Sequence, residues 1–181
     1  MLEVKRLSND RKPDFYRVHS DSSCGGWCFC AAWYVTGWEG FGDRTADQNR
    51  QVREDLFAKG IFDGYLVYMG GNPVGWCQVA PRDKLPKLTT QFSLEPDPAI
   101  WAITCMALVP TLQGKGLSHE IIRLILSDLR IHGVKKVQAF PKNAENLSKE
   151  SIWTGPLSVF LKNGFKILKT EGHRPVMELE L

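Results

Sequence analysis

The clearest hydrophobic pattern in the chain lies between residues 118 and 133. Its apolar residues recur at the spacing of one helical face and are Ile121, Ile122, Ile125, Leu126 and Leu129. Gly133 follows them and is of the kind that ends a helix. The pattern predicts an amphipathic helix whose apolar face packs on a sheet.

Shorter apolar runs predict the other elements. Strands are expected at Leu2–Leu7, Tyr65–Met69, Val74–Ala80, Trp101–Leu108, Val134–Phe140, Lys166–Lys169 and Val176–Leu181. Further helices are expected at Lys12–His19, Ala46–Lys59 and Pro156–Asn163. The segment Gly70-Gly71-Asn72-Pro73 separates two of the strands as in a β-hairpin. This order of elements predicts an α/β fold with a mostly antiparallel sheet.

A strand, a glycine-bearing loop and the start of the long helix follow one another in Ala102–Ser118. The first N–H groups of a helix lie at the positive end of its dipole and bind phosphate groups. Gly114 and Gly116 allow close approach of a phosphate and a positive φ. The segment therefore predicts a pyrophosphate cradle, with Ser118 as the N-cap of the helix.

Motif spacing separates three kinds of phosphate site. A Walker loop would need Ser or Thr directly after Lys115, and a dinucleotide fingerprint begun at Gly114 would need glycine in place of His119. The fingerprint also belongs to a first βα unit, whereas this loop lies past mid-chain. The pattern Gln113-x-x-Gly116-x-Ser118 resembles the (Arg/Gln)-x-x-Gly-x-(Gly/Ala) signature of the GNAT superfamily, the acyl-CoA-dependent N-acyltransferases. Ser118 is small but departs from the last position.

The flanking sequence strengthens this resemblance. Phe160-Leu-Lys-Asn-Gly164-Phe165 is similar to the family's late Tyr-x-x-x-Gly-Phe element. The segments SSCGGWCFCAAW, NPVGWCQVAPR, WTGPLSVFLKNGF and RPVMELEL resemble a bacterial subgroup of the superfamily. The resemblance extends from about Leu2 to Leu181. It implies a single GNAT-like domain over residues 1–181, with a mixed, mostly antiparallel central sheet flanked by helices.

The resemblance also implies a reaction and its co-substrate. Acetyl-CoA would donate an acetyl group directly to an amine, which makes the protein an N-acetyltransferase. In the family the strand before the loop pairs with pantetheine, and the loop binds the pyrophosphate. The corresponding positions in this chain are Met106, Ala107, Leu108, Gln113, Gly114, Lys115, Gly116, Leu117, Ser118, Asn143 and Phe160.

Two side chains that assist the family's reaction are missing from their usual places. Phe160 stands where the family has a tyrosine that can protonate the CoA thiolate, and Ala102 stands near the position of a strand carboxylate. Cys105 on the central strand and Cys77 on the preceding strand are the candidate catalytic residues. Adjacent antiparallel strands predict both thiols on one face, although free cysteines are mostly small buried hydrophobic residues.

The segment 21–44 is rich in cysteine and tryptophan. Cys24, Cys28 and Cys30 have the spacing C-x₃-C-x-C, which is not a usual zinc spacing, and no second pair of ligands follows. We therefore expect no metal there. In the order of elements that the resemblance implies, this segment lies between the first two helices, where it would wall the acceptor site.

Composition limits the function classes. With 181 residues, 43% of them hydrophobic, the chain predicts one domain with one core. The net charge of +3 is small and its lysines and arginines are scattered, which gives no indication of nucleic-acid binding. No apolar run reaches membrane-spanning length, and the N-terminus lacks a signal-peptide core. The five cysteines then favour a reducing cytoplasm.

Three functions remain open at this point. The first is an N-acetyltransferase acting on an amine, with a small molecule as the expected acceptor. The second is a non-catalytic acyl-CoA-binding or sensor module, and the third is a metal or redox protein built on Cys24, Cys28 and Cys30. The loop at Gln113–Ser118 supports the first two over the third. The sequence specifies neither the acceptor, nor the oligomeric state, nor the length of the acyl group.

Overall fold

The computed structural model describes residues 1–22, 25–35, 37–143 and 152–181. The strands are β1 (Leu2–Arg6), β2 (Gly64–Met69), β3 (Asn72–Pro81), β4 (Ile100–Leu108), β5 (Lys136–Ala139), β6 (Lys166–Glu171) and β7 (Arg174–Glu180). The helices are α1 (Lys12–Asp21), α2 (Ala46–Ala58), α3 (Pro86–Gln91), α4 (Leu117–Ile131) and α5 (Leu157–Lys162). None of the helices in these ranges is long and apolar enough to cross a membrane.

The strands form one sheet in the order β1-β2-β3-β4-β5-β7-β6. Every neighbouring pair is antiparallel except β4 and β5, which run parallel. Two parallel neighbours need a crossover, and α4 supplies it. The predicted mixed, mostly antiparallel sheet flanked by helices is confirmed.

Local chemistry explains most of the element boundaries. Thr45 caps α2 in a reciprocal capping box with Gln48. Strand β5 is shorter than predicted because the chain leaves α4 through Gly133, at φ +80°, and Val134 still donates to Leu129 of the helix. Helix α3 was not predicted. It has six residues and begins at a proline, which is too short for a helical period to appear in the sequence.

The sheet separates two apolar layers. On one face, α4 packs Ile122 and Ile125 against Cys77 and Ile103 of the central strands. The opposite face is covered by α1, α2 and the segment 25–35, which buries Trp33 completely. The carboxyl end of β4 and the loop that follows it border a cavity.

A β-bulge interrupts the pairing of β3 with β4. Gln78 lies opposite Cys105, but the next residue, Val79, lies opposite Ile103, which leaves Thr104 as the extra residue on β4. A bulge breaks the alternation of side chains between the two faces of a sheet. Thr104 bonds Gln78 and Cys105 packs in the α1 layer, so two consecutive residues of β4 lie on the same side.

Candidate active site

The sheet opens along one edge of β4. Strand β4 pairs with β5 only as far as Ile103 and Ala139, although on its other side it stays paired with β3 to Leu108. The last five of the nine residues of β4 therefore have one edge free of a strand partner. Backbone amides on such an edge can bind an extended ligand as if it were another strand.

The free edge presents alternate N–H groups of β4. Val109 donates to Val74 O of the neighbouring strand at 3.0 Å, so the N–H groups of Leu108 and Met106 point the other way, into the opening. The Met106 N–H donates to the carbonyl of Trp153 at 2.7 Å. The segment before α5 thus lies across the opening, and Leu108 has its N–H directed into the space beyond.

The loop after β4 forms a cradle at the start of α4. Gly114 has φ +75° and Gly116, the N-cap of α4, has φ +74°. A Cβ at either glycine would meet no atom within 4 Å, so the protein leaves the space above the loop open. Gln113 Nε2 donates to Leu108 O at 2.9 Å and ties the loop to the strand edge. The positive end of a 15-residue helix faces this space.

The prediction that Ser118 caps the helix is wrong. Helix α4 begins at Leu117, and Gly116 occupies the N-cap with no side-chain hydrogen bond. Ser118 is the second residue of the helix. The left-handed conformation of Gly116 lets the chain turn into α4 two residues earlier than a cap at Ser118 would.

A cavity of about 480 Å³ joins the strand edge to the loop. Seven of the predicted cofactor residues line it: Met106, Ala107, Leu108, Gln113, Gly114, Gly116 and Ser118. The remaining lining comes from His119 and from the segment around α5: Ile152, Trp153, Gly155, Pro156, Ser158, Val159 and Lys162. Sequence reasoning missed this second wall.

Four predicted cofactor residues lie outside this lining. Lys115 is exposed, and Leu117 packs against the α4 core. Asn143 is exposed, and its N–H donates to the carbonyl of His173 at 2.7 Å. Phe160 is fully buried below the cavity.

Phe160 supports the cavity wall from beneath. Its ring makes an edge contact with Phe165 at 5.4 Å between centroids. Gly155 lies directly above it at φ +91°, and a Cβ there would be 2.9 Å from the Phe160 ring and 3.0 Å from Met106 Sδ. The segment can therefore cross β4 at this point only with glycine.

The two candidate catalytic thiols lie on opposite faces of the sheet. Cys77 is completely buried in the α4 layer, whereas Cys105 is half-buried in the α1 layer. The expectation that they share one face is wrong, because the bulge at Thr104 shifts Cys105 to the side that alternation would assign to its neighbour. Neither thiol lines the cavity.

Two neighbouring thiols, Cys30 and Cys105, lie on the α1 side of the sheet, where Cys30 donates to Gln78 Oε1 at 3.3 Å. The neighbouring Cys30 and burial raise the pKa of Cys105 well above its usual value. Burial opposes ionisation of Cys30 as well, but the neighbouring Cys105 and His19 side chains and the charge of Arg53 outweigh it and lower the pKa of Cys30.

A free strand edge beside a glycine-bearing helix N-terminus is a site that can bind an extended amide chain together with phosphate groups. Residues 12–149 match the model of the acetyltransferase (GNAT) family. The chain belongs to this family, whose members are acetyl-CoA-dependent N-acetyltransferases. The resemblance seen in the sequence is thus confirmed.

Solved structures show the same fold at low sequence identity. A PaiA N-acetyltransferase from Thermoplasma acidophilum in complex with coenzyme A has 13% identity and a TM-score of 0.58, with 100% of this chain and 99% of that chain covered. An aminoglycoside acetyltransferase in complex with coenzyme A has 17% identity and a TM-score of 0.59, with 99% and 95% covered. A ribosomal-protein alanine N-acetyltransferase from Escherichia coli has 12% identity and a TM-score of 0.54, with 99% and 94% covered. No curated protein sequence matches the chain.

Proposed function

We propose that this protein transfers the acetyl group of acetyl-CoA to the amine of a small molecule by direct attack, in the cavity between β4 and α5. One observation carries the proposal: the free edge of β4 and the open loop at Gly114 and Gly116 border the same cavity. An extended amide chain on the strand edge would thereby have its phosphates at the helix N-terminus.

The chain's own groups would hold the donor in two places. The backbone N–H groups from Gly114 to Ser118 would bind the pyrophosphate, and Leu108 would pair with a pantetheine amide. Bound there, acetyl-CoA supplies a thioester whose carbonyl carbon a neutral amine attacks, with CoA thiolate as the leaving group. Apolar lining from Val159 and Ile152 would exclude water from the donor.

Strand β4 has no carboxylate that could take the proton from the amine. Ala102 is completely buried, and the Thr104 hydroxyl donates to Gln78 Oε1 at 3.0 Å. We therefore propose that water carries the proton to solvent. Phe160 has no proton to give, so the thiolate would leave unassisted or take a proton from a hydroxyl in the lining, of which Ser158 is the exposed one.

The segment 21–44 would form the acceptor side of this site. Trp33 and Trp38 of the segment contact Trp153, which lines the donor cavity, at 5.7 and 6.3 Å between ring centroids. The aromatic contacts connect the two sides. We also propose that the protein is cytoplasmic, because a reducing compartment would keep its five cysteines as thiols.

A calorimetric titration followed by a thiol-release assay tests the proposal. Acetyl-CoA is expected to bind one site per chain. In a panel of primary amines, some members are expected to release CoA faster than acetyl-CoA is hydrolysed without an amine. Binding without release across small molecules, peptide N-termini and lysine peptides would instead favour a non-catalytic acyl-CoA module. Failure to bind acetyl-CoA would refute both.

Substitution of the two thiols tests their part in catalysis. Cys105→Ser is expected to lower kcat less than about tenfold, because the thiol lies outside the cavity lining. Cys77→Ser is expected to leave kcat unchanged and to lower the free energy of unfolding by about 1–3 kcal/mol, since it places a hydroxyl in an apolar core. A thousandfold loss of kcat at either position, with acetyl-CoA affinity and Tm unchanged, would identify a catalytic cysteine.

The cysteine-rich segment is expected to hold no metal. No group of three or more potential ligands is found among the described residues, which include Cys28 and Cys30, whereas Cys24 lies outside them. Elemental analysis of protein purified with a reductant is expected to find no stoichiometric zinc. About one zinc per chain would contradict this and favour the metal or redox function.

A further inference from the structure

Arg174 is a half-buried arginine whose charge has no carboxylate partner in the described part of the chain. It begins β7, and its guanidinium carbon lies 5.9 Å from the centre of the Trp153 ring. Its Nη1 group is buried and has no hydrogen-bond partner among the described residues. Burial lowers the pKa of Arg174 from its usual value. A partly desolvated guanidinium in this condition gains from binding an anion.

Three other buried or half-buried arginines of the described residues each have a carboxylate partner. Arg53 bonds the carboxylate of Asp63, and Arg6 donates to Asp128 at 2.8 Å. Arg82 donates to Gln138 at 3.0 Å and lies 4.0 Å from Asp97. Arg6 Nη2 and Arg82 Nε are also buried without a hydrogen-bond partner, but both side chains have a carboxylate beside them. Arg174 has no carboxylate partner among the described residues and contacts an aromatic ring instead.

Trp153 connects the Arg174 guanidinium with the proposed site of acetyl transfer. Its carbonyl accepts from Met106 on the strand edge, and the residue lines the donor cavity. A reacting amine must come within about 3–3.5 Å of the thioester carbon. An acceptor that reaches this point from the α1 side would pass along Trp153. With its amine at the thioester, the rest of the acceptor would then lie next to Arg174.

A second unpaired cation lies on the same aromatic surface. Lys87 Nζ is 3.5 Å from the centre of the Trp38 ring and donates to Ala32 O at 2.8 Å. It makes no ion pair with a described residue. Burial, and then the charge of Arg44, lower its pKa to about 8. The positive charges repel a second ammonium group and attract an anion.

We propose that Arg174 binds a carboxylate of the acceptor, so that the substrate class is an amine that also carries a carboxylate and an apolar body. The guanidinium forms two parallel N–H···O bonds to the carboxylate, and the apolar body lies on Trp153 and Trp38. The inference rests on the proposed acetyl transfer.

Paired probes test the carboxylate site without requiring turnover. Tryptophan fluorescence is titrated with 3-phenylpropanoate and with 3-phenylpropan-1-ol, at saturating coenzyme A. The carboxylate is expected to bind about tenfold more tightly than the alcohol. Arg174→Gln is expected to remove the difference. The matched control is Arg130→Gln, an exposed arginine near the end of α4, which is expected to keep it.

Equal affinity for the two probes, no saturable binding of the carboxylate, or an unchanged preference in Arg174→Gln would each overturn the proposal. A turnover arm compares phenylalanine with 2-phenylethylamine, and the expected result is a higher kcat/KM for phenylalanine that Arg174→Gln abolishes. Failure of the proposed function is distinguishable, since it appears as no acetyl-CoA binding by calorimetry. If 2-phenylethylamine is the better substrate, acetyl transfer stands and the carboxylate site is refuted.

Discussion

Replacing Gly116 with Asp is expected to weaken acetyl-CoA binding by a hundredfold or more. The new carboxylate would project into the open space above the loop, where the pyrophosphate is proposed to bind. Two like charges at about 4 Å repel by roughly 4 kcal/mol at an effective dielectric constant of 20, which is ample for this loss. Calorimetric titration of the purified variant with acetyl-CoA measures it.

Gly133→Asp is the matched control for this variant. Gly133 ends the same helix at φ +80° and is exposed, and a Cβ added to it would meet no atom within 4 Å. Both substitutions force aspartate into a left-handed conformation, at about 1–2 kcal/mol each. We expect a loss of stability at Gly116 no larger than at Gly133, because a carboxylate is favourable at the N-terminus of a helix and unfavourable at its C-terminus. A loss of binding is expected only at Gly116. If the two variants bind acetyl-CoA equally well, the phosphate cradle is assigned to the wrong loop.

The fold could be predicted because its signals are local. The period of Ile121, Ile122, Ile125, Leu126 and Leu129 determined one face of α4, and glycines at turns marked the strand ends. The first wall of the cavity was predictable for the same reason, since strand, loop and helix are contiguous in the chain. A motif of this kind needs no knowledge of tertiary packing.

The second wall of the cavity could not be predicted from the same signals. Trp153 and Gly155 reach β4 across a sequence separation of nearly fifty residues, and only the tertiary structure brings their segment to Met106. Gly155 offered a partial signal, because a glycine two residues before a helix often allows close backbone approach. Phe160 matched a motif position, but burial places it beneath the cavity.

The prediction that Cys77 and Cys105 lie on one face of the sheet failed for a different reason. Strict alternation along two paired strands puts opposite residues on one side. One extra residue at Thr104 moves Cys105 to the other face, and nothing in the sequence of residues 103–108 marks the bulge. The consequence is chemical, since the bulge brings Cys105 to the α1 layer and into contact with Cys30.

Arg53→Met is expected to lower the free energy of unfolding by about 3–5 kcal/mol, because it leaves the carboxylate of Asp63 buried without its cation. Both side chains are almost wholly inaccessible to solvent. The same guanidinium donates to the carbonyls of Phe29 at 3.2 Å and Cys30 at 2.8 Å. Those two residues have φ of 44° and 55°, a strained conformation that these bonds help to hold.

The matched control is Arg50→Gln, on the same helix but exposed, where we expect a change of less than about 1 kcal/mol. Urea unfolding followed by circular dichroism measures both variants. The folded fraction of Arg53→Met is expected to bind acetyl-CoA normally, because the loop at Gly116 lies across the sheet from the buried pair. A loss of stability equal to that of Arg50→Gln would show that the strained backbone before Trp33 is held by packing and not by the ion pair.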